Sequence, residues 1–83
     1  MSAIKIEVFG SGCPKCKKTY ELFQQVVFAK GISADIHHIT DVNLGIERGV
    51  LFTPAVFING EKVVEGKLPT LFEAEEIVQK YAE

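Results

Sequence analysis

Short apolar runs with two different spacings alternate along the chain. Between Ala3 and Phe9, Ile4, Ile6 and Val8 recur at every second residue with Lys5 and Glu7 between them, which is the period of a β-strand. Gly10-Ser11-Gly12 ends that run. From Pro14 to about Lys30 the spacing changes to three and four, so that Cys16, Tyr20, Phe23, Val26 and Val27 fall on one stripe of a helix. Pro14 suits the first turn, where its missing N–H would have no intrahelical partner, and Gly31 supplies a C-terminal stop. Ile32 to Thr40 alternates again, with Ala34, Ile36 and His38 opposed to Asp35, His37 and Ile39, and predicts a second strand.

Asp41 can cap a short helix from Val42 to about Arg48, with Val42, Ile46 and Val50 on one face, weakened by Gly45 and closed by Gly49. Asn59-Gly60 separates two β-rich runs, Ala55 to Ile58 and Glu61 to Glu65, and is the signature of a type I′ hairpin. Thr70-Leu71-Phe72-Glu73 has the form of a capping box and opens a last helix, buried along Leu71, Ala74, Val78 and Tyr81. The predicted order is βαβαββα: an α/β fold with a four-stranded mixed sheet flanked by three helices. Its first two strands are parallel through a right-handed crossover, and its hairpin is antiparallel.

The 83 residues, 47% hydrophobic and 24% charged, predict a single domain over 1–83, too apolar for disorder and near the size at which one core just suffices. A net charge of −2 argues against nucleic acid or anionic membrane as the main partner, because those surfaces reward clustered positive charge. Lys15, Lys17 and Lys18 are the one basic cluster, either a solvated helix start or a docking patch. No apolar run approaches the roughly eighteen residues of a membrane span, and Lys5 and Glu7 interrupt the stretch where a signal peptide would need its apolar region. The expectation is a cytoplasmic monomer, and no motif requires a cofactor.

The only two cysteines, Cys13 and Cys16, enclose Pro14-Lys15. In a reducing compartment a pair this close is catalytic or metal-binding rather than structural, and it closes too small a loop to stabilise the fold much. It falls just past the first strand, at the carboxyl end where open α/β sheets gather their ligand sites. The unpaired N–H groups and about +0.5 charge of a helix N-terminus stabilise a thiolate, with Lys15 as an added cation. Glu7, six residues before Cys13, is the candidate proton acceptor for Cys16; the alternative is a solvent-facing strand residue alternating with Lys5. His37 and His38, adjacent on a strand, point to opposite faces and cannot form one compact metal pair. Two thiolates also suit a soft metal or an iron–sulfur cluster, with the ligand set shared across a dimer.

Gly12-Cys13-Pro14-Lys15-Cys16, together with Thr53-Pro54-Ala55-Val56-Phe57-Ile58 and the Asn59-Gly60 hairpin, resembles the thioredoxin superfamily, and within it the small glutaredoxin-like redox-active disulfide proteins. The resemblance spans the chain in motif order and spacing. It implies a thioredoxin-like fold and thiol–disulfide exchange, with Cys13 as the exposed nucleophile and Cys16 as the more buried resolving cysteine. It also makes Thr53-Pro54 the cis-peptide site whose loop lies against the active-site disulfide, offering the Thr53 backbone to an extended substrate as if adding a strand. The partners implied are protein disulfides and an upstream reductant, either a thioredoxin-reductase-like enzyme or glutathione. Glu65-Gly66-Lys67 stands where glutaredoxins carry Gly-Gly and acidic residues for glutathione.

Overall fold

The computed structural model describes residues 4–10 and 14–82. The elements follow the predicted order: β1 (Ile4–Phe9), α1 (Pro14–Lys30), β2 (Ala34–Ile39), α2 (Val42–Glu47), β3 (Ala55–Ile58), β4 (Glu61–Glu65) and α3 (Leu71–Ala82). One sheet runs β2-β1-β3-β4, with β1 parallel to β2 and antiparallel to β3, and β3 antiparallel to β4. β1 is thus hydrogen-bonded on both edges, and its C-terminal end is where the parallel and antiparallel halves meet. The chain enters α1 from that end.

Side-chain alternation divides the sheet into two faces. Ile4, Ile6 and Val8 of β1 join Val56, Ile58 and Val64 beneath Phe23, Val26 and Val27 of α1 and Ala74 and Val78 of α3, and this is the main core. The odd residues of β1 face the other way, where Phe9 packs with Ala55 and Phe57 in a smaller cluster joined by Ile39 and Val50. The Phe9 and Phe57 rings meet edge to face at 5.2 Å between centroids, a geometry that sets a ring's positive edge against its neighbour's negative face.

Local chemistry accounts for the boundaries. Gly31, at φ +66°, ends α1 with the Ile32 N–H donating to the Val27 carbonyl at 2.9 Å, which satisfies one of the carbonyls a helix end leaves without a partner. Asn59 and Gly60 both have positive φ, +52° and +88°, as a type I′ turn demands. Asn59 does more than turn: its side-chain oxygen accepts the Lys5 N–H at 2.9 Å and its own N–H donates to the Lys5 carbonyl at 2.8 Å, tying the hairpin to β1. The Thr70–Glu73 capping box forms reciprocally, at 2.9 and 3.1 Å.

Several expectations are corrected. β2 is shorter than Ile32 to Thr40, running from Ala34 to Ile39. Leu71, expected in the buried stripe of α3, is 49% exposed, because it opens the helix one turn before Ala74, where α3 first meets the core. The face of α2 carrying Val42 and Ile46 is exposed; its buried residue is Gly45, which lies over Phe9 and Val50. Ala3, expected to begin the first strand, lies outside the described residues. Among those residues no helix is long and apolar enough to cross a membrane.

Candidate active site

Cys16, in the first turn of α1, is fully buried. Its sulfur sits against Gly10, the residue after β1: a Cβ added at Gly10 would collide with Cys16 Sγ and lie 2.6 Å from Cys16 Cβ. Only glycine lets the strand end and the helix start approach so closely. The end of β2 fixes this corner from the side. The Gly10 N–H donates to the Ile39 carbonyl at 3.0 Å, and the Gly10 carbonyl lies 3.0 Å from His38 Nε2. A carbonyl can only accept, so His38 carries a hydrogen on Nε2. The His38 ring in turn stacks on Tyr20 of α1.

Cys13 lies outside the described residues, so the pairing of the two cysteines is not described. Pro14 and Lys15 are exposed at the start of α1, and the Lys15 carbonyl accepts the buried Thr19 hydroxyl at 2.7 Å. Thr53-Pro54 is cis. Antiparallel pairing of Phe9 with Ala55 brings these two residues beside Gly10 and hence beside the start of α1. Pro54 is buried and Thr53 exposed. A cavity of about 260 Å³ opens next to them, lined by Gly10, Ile39, Asp41, Ile46, Leu51 and Thr53 among others.

Glu7 is not a solvent-facing residue, as one of its two readings expected: it is 6% exposed. Arg48 covers it with a two-pronged contact, Nη2 to Oε1 at 3.0 Å and Nη1 to Oε2 at 3.3 Å. The guanidinium lies 4.6 Å from the Phe57 ring centroid and 5.6 Å from that of Phe9. Glu7 alternates with Ile6 and Val8, so it leaves β1 on the face away from the α1 core.

The segment between α2 and Pro54 has no ladder of its own, and charged side chains of β4 hold it. Glu65 Oε2 accepts the Leu51 N–H at 2.7 Å and the Phe52 N–H at 3.2 Å. Lys62 Nζ donates to Glu65 Oε1 at 3.0 Å and to the Gly49 carbonyl at 3.1 Å. The bond from the Leu51 N–H and then that from Lys62 hold the Glu65 carboxyl below its ordinary value. Sequence reasoning missed Gly10, Arg48 and this role of Glu65. Arg48 did carry one signal, being the only arginine in the chain.

Among the described residues no group of three or more His, Cys, Asp or Glu could hold a metal ion. A buried cysteine at a strand-to-helix corner, faced by a cis X-Pro segment from the neighbouring antiparallel strand, defines a fold class built for thiol chemistry. Residues 4–79 match the family described as thioredoxin domain, and the chain belongs to the thioredoxin family. It is 42% identical to a thioredoxin of Methanocaldococcus jannaschii over 80 residues, 96% of this chain and 92% of that one. It is 25% identical to a thioredoxin of Methanothermobacter thermautotrophicus, over 90% of this chain and 97% of that one. The fold agrees with that of a mutant thioredoxin from Halobacterium salinarum, at a TM-score of 0.74 and 20% identity, over 99% of this chain and 77% of that one. A Staphylococcus aureus protein of unknown function gives a TM-score of 0.71 at 26% identity, over 98% of this chain and 94% of that one. The fold is thioredoxin-like, and the function is of the thiol–disulfide oxidoreductase type in general.

Proposed function

We propose that the protein exchanges disulfides in protein substrates through the Cys13-Pro14-Lys15-Cys16 dithiol. Cys13 attacks as thiolate, forms a mixed disulfide with one substrate sulfur and releases the other as a thiolate. Cys16, deprotonated as it attacks, bonds to Cys13 Sγ and displaces the first sulfur. Two electrons pass to the substrate, and the Cys13–Cys16 disulfide that remains is reduced by a thioredoxin-reductase-like enzyme or by glutathione. The helix start and Lys15 stabilise the Cys13 thiolate. Glu7, the only buried carboxylate among the described residues, receives the Cys16 proton. Thr53 offers backbone groups to an extended substrate, and the protein works as a cytoplasmic monomer.

The observation that carries this reading is the complete burial of Cys16 against Gly10 at the start of α1, as suits a resolving thiol that only an attached Cys13 partner should meet. The experiment is trapping: Cys16→Ser should accumulate a mixed disulfide with a protein substrate, and Cys13→Ser should not. Equal trapping by both variants, or a stoichiometric metal or iron–sulfur cluster in protein purified under reducing conditions, would overturn the reading. Incubating the oxidised protein separately with thioredoxin reductase plus NADPH and with glutathione identifies its reductant.

A further inference from the structure

The residues from Gly49 to Thr53 connect α2 to the cis Thr53-Pro54 bond without belonging to a helix or strand, and while the Gly49 and Val50 N–H groups donate back to the Ile46 and Gly45 carbonyls of α2 at 3.1 and 2.8 Å, Leu51 and Phe52 turn to another element. The Leu51 and Phe52 N–H groups find their partner on the edge strand β4. One Glu65 oxygen takes two successive backbone N–H groups, of Leu51 and Phe52, while its other oxygen meets Lys62 Nζ, which also reaches the Gly49 carbonyl. The next residue completes the attachment, its Gly66 N–H donating to the Pro54 carbonyl at 2.8 Å. Arg48 anchors the start of the same segment on Glu7 of β1. The side chains of Leu51 and Phe52 do not hold it, since they are 79% and 67% exposed. Position beyond Val50, whose half-buried side chain packs against Phe9, Ala55 and Phe57, therefore comes from polar bonds to the backbone, and Glu65 supplies the two that hold Leu51 and Phe52.

We propose that Glu65, steered by Lys62, is a positioning residue that fixes the 49–53 segment so that Thr53 is presented to a polypeptide disulfide beside the Gly10–Cys16 corner. This rests on the reading above that Thr53 binds the substrate chain and Cys13 performs the attack. It sets a difference between substrates. A disulfide carried on an extended polypeptide needs the Thr53 backbone in place, whereas a small disulfide needs only an accessible thiolate. The carboxylate also acts through geometry more than charge, so a side chain of the same length that retains one acceptor oxygen keeps part of the effect.

The test is steady-state kinetics with dithiothreitol as reductant on two substrates, insulin and hydroxyethyl disulfide. Glu65→Ala should raise KM for insulin about tenfold and leave kcat/KM for hydroxyethyl disulfide within about twofold. Glu65→Gln should fall between, and Lys62→Met should give a smaller rise than Glu65→Ala. Amide exchange of Leu51 and Phe52 in Glu65→Gln should accelerate with the rest of the molecule unchanged, which separates a loosened segment from a protein that fails to fold. An unchanged insulin KM in Glu65→Ala, or equal losses on both substrates, overturns the inference while leaving exchange at Cys13 intact. A wild-type protein that reduces hydroxyethyl disulfide but not insulin does the same. A wild type inert on both overturns the functional reading and this inference with it.

Discussion

The guanidinium of Arg48 meets both carboxylate oxygens of Glu7, at 3.0 and 3.3 Å, across 41 residues of chain. Glu7 is buried in the middle of the sheet and Arg48 caps α2, so the pair joins β1 to the helix that precedes Thr53. Parallel two-pronged contacts of this kind are the stronger form of ion pair.

Replacing one partner should cost more than the pair itself contributes, because it strands the other. Arg48→Met leaves the Glu7 carboxylate buried with Lys5, 3.8 Å away, as its one cation among the described residues, and should lower stability by about 2 kcal/mol. That is less than the roughly 3–5 kcal/mol of a fully buried pair, since the Arg48 side chain is 34% exposed. Urea unfolding measures it, and the Glu7→Gln/Arg48→Met double variant should recover part of the loss. An unchanged midpoint in Arg48→Met would show the contact to be energetically idle.

Glu7→Gln keeps the shape of the side chain and removes its capacity to take a proton. If Glu7 accepts the Cys16 proton, resolution of the mixed disulfide should slow by about ten- to hundredfold, at or below the lower end of general-base effects. Formation of the mixed disulfide at Cys13 should keep its rate. Stopped-flow release of the second substrate thiol reads the resolving step alone, and an unaltered rate removes Glu7 from the mechanism.

Gly10→Ala places a methyl group into Cys16 Sγ. Overpacking at a site enclosed on both sides, by the His38 and Ile39 contacts and by α1, should destabilise the fold by about 1–3 kcal/mol. The same push moves the cysteine outward. Iodoacetamide should therefore modify Cys16 faster in Gly10→Ala than in wild type, measured in a Cys13→Ser background. Wild-type alkylation rates in the variant would mean the corner has room to spare.

Acid should release the attachment of the 49–53 segment. The Leu51 N–H and Lys62 hold the Glu65 carboxyl below its ordinary value of about 4.5, so the folded protein binds that proton more weakly than the unfolded chain. The stabilisation is then complete above pH 4.5 and is lost as pH falls through the folded value. Glu73, held low first by the Thr70 N–H and then by Lys67, adds the same sign. Urea midpoints between pH 7 and pH 3 should fall less steeply in Glu65→Gln than in wild type. Superimposable pH profiles would contradict the assignment.

Much of the fold was legible because its signals are local. The alternation of Ile4, Ile6 and Val8, the three-and-four stripe of Phe23, Val26 and Val27, the Asn59-Gly60 turn and the Thr70–Glu73 box each act within a few residues, and each forms as its spacing predicts. Cys16 as the more buried cysteine and a cis Thr53-Pro54 were implied by family resemblance rather than by any spacing. Glu7 shows where alternation misleads: its place opposite the main core suggested water, and the small Phe9–Phe57 cluster with Arg48 covers it instead.

Strand and helix periods, turn chemistry and caps were set by the sequence itself, since they depend on backbone geometry over one or two turns. The partners of Glu7, Gly10 and Glu65 were decided only in the folded chain: Arg48, Cys16 and the Leu51–Phe52 backbone come from other elements, and sheet order β2-β1-β3-β4 sets which ends meet. Short side-chain contacts between distant segments have no period to read, because their distances depend on the packing of every element between them.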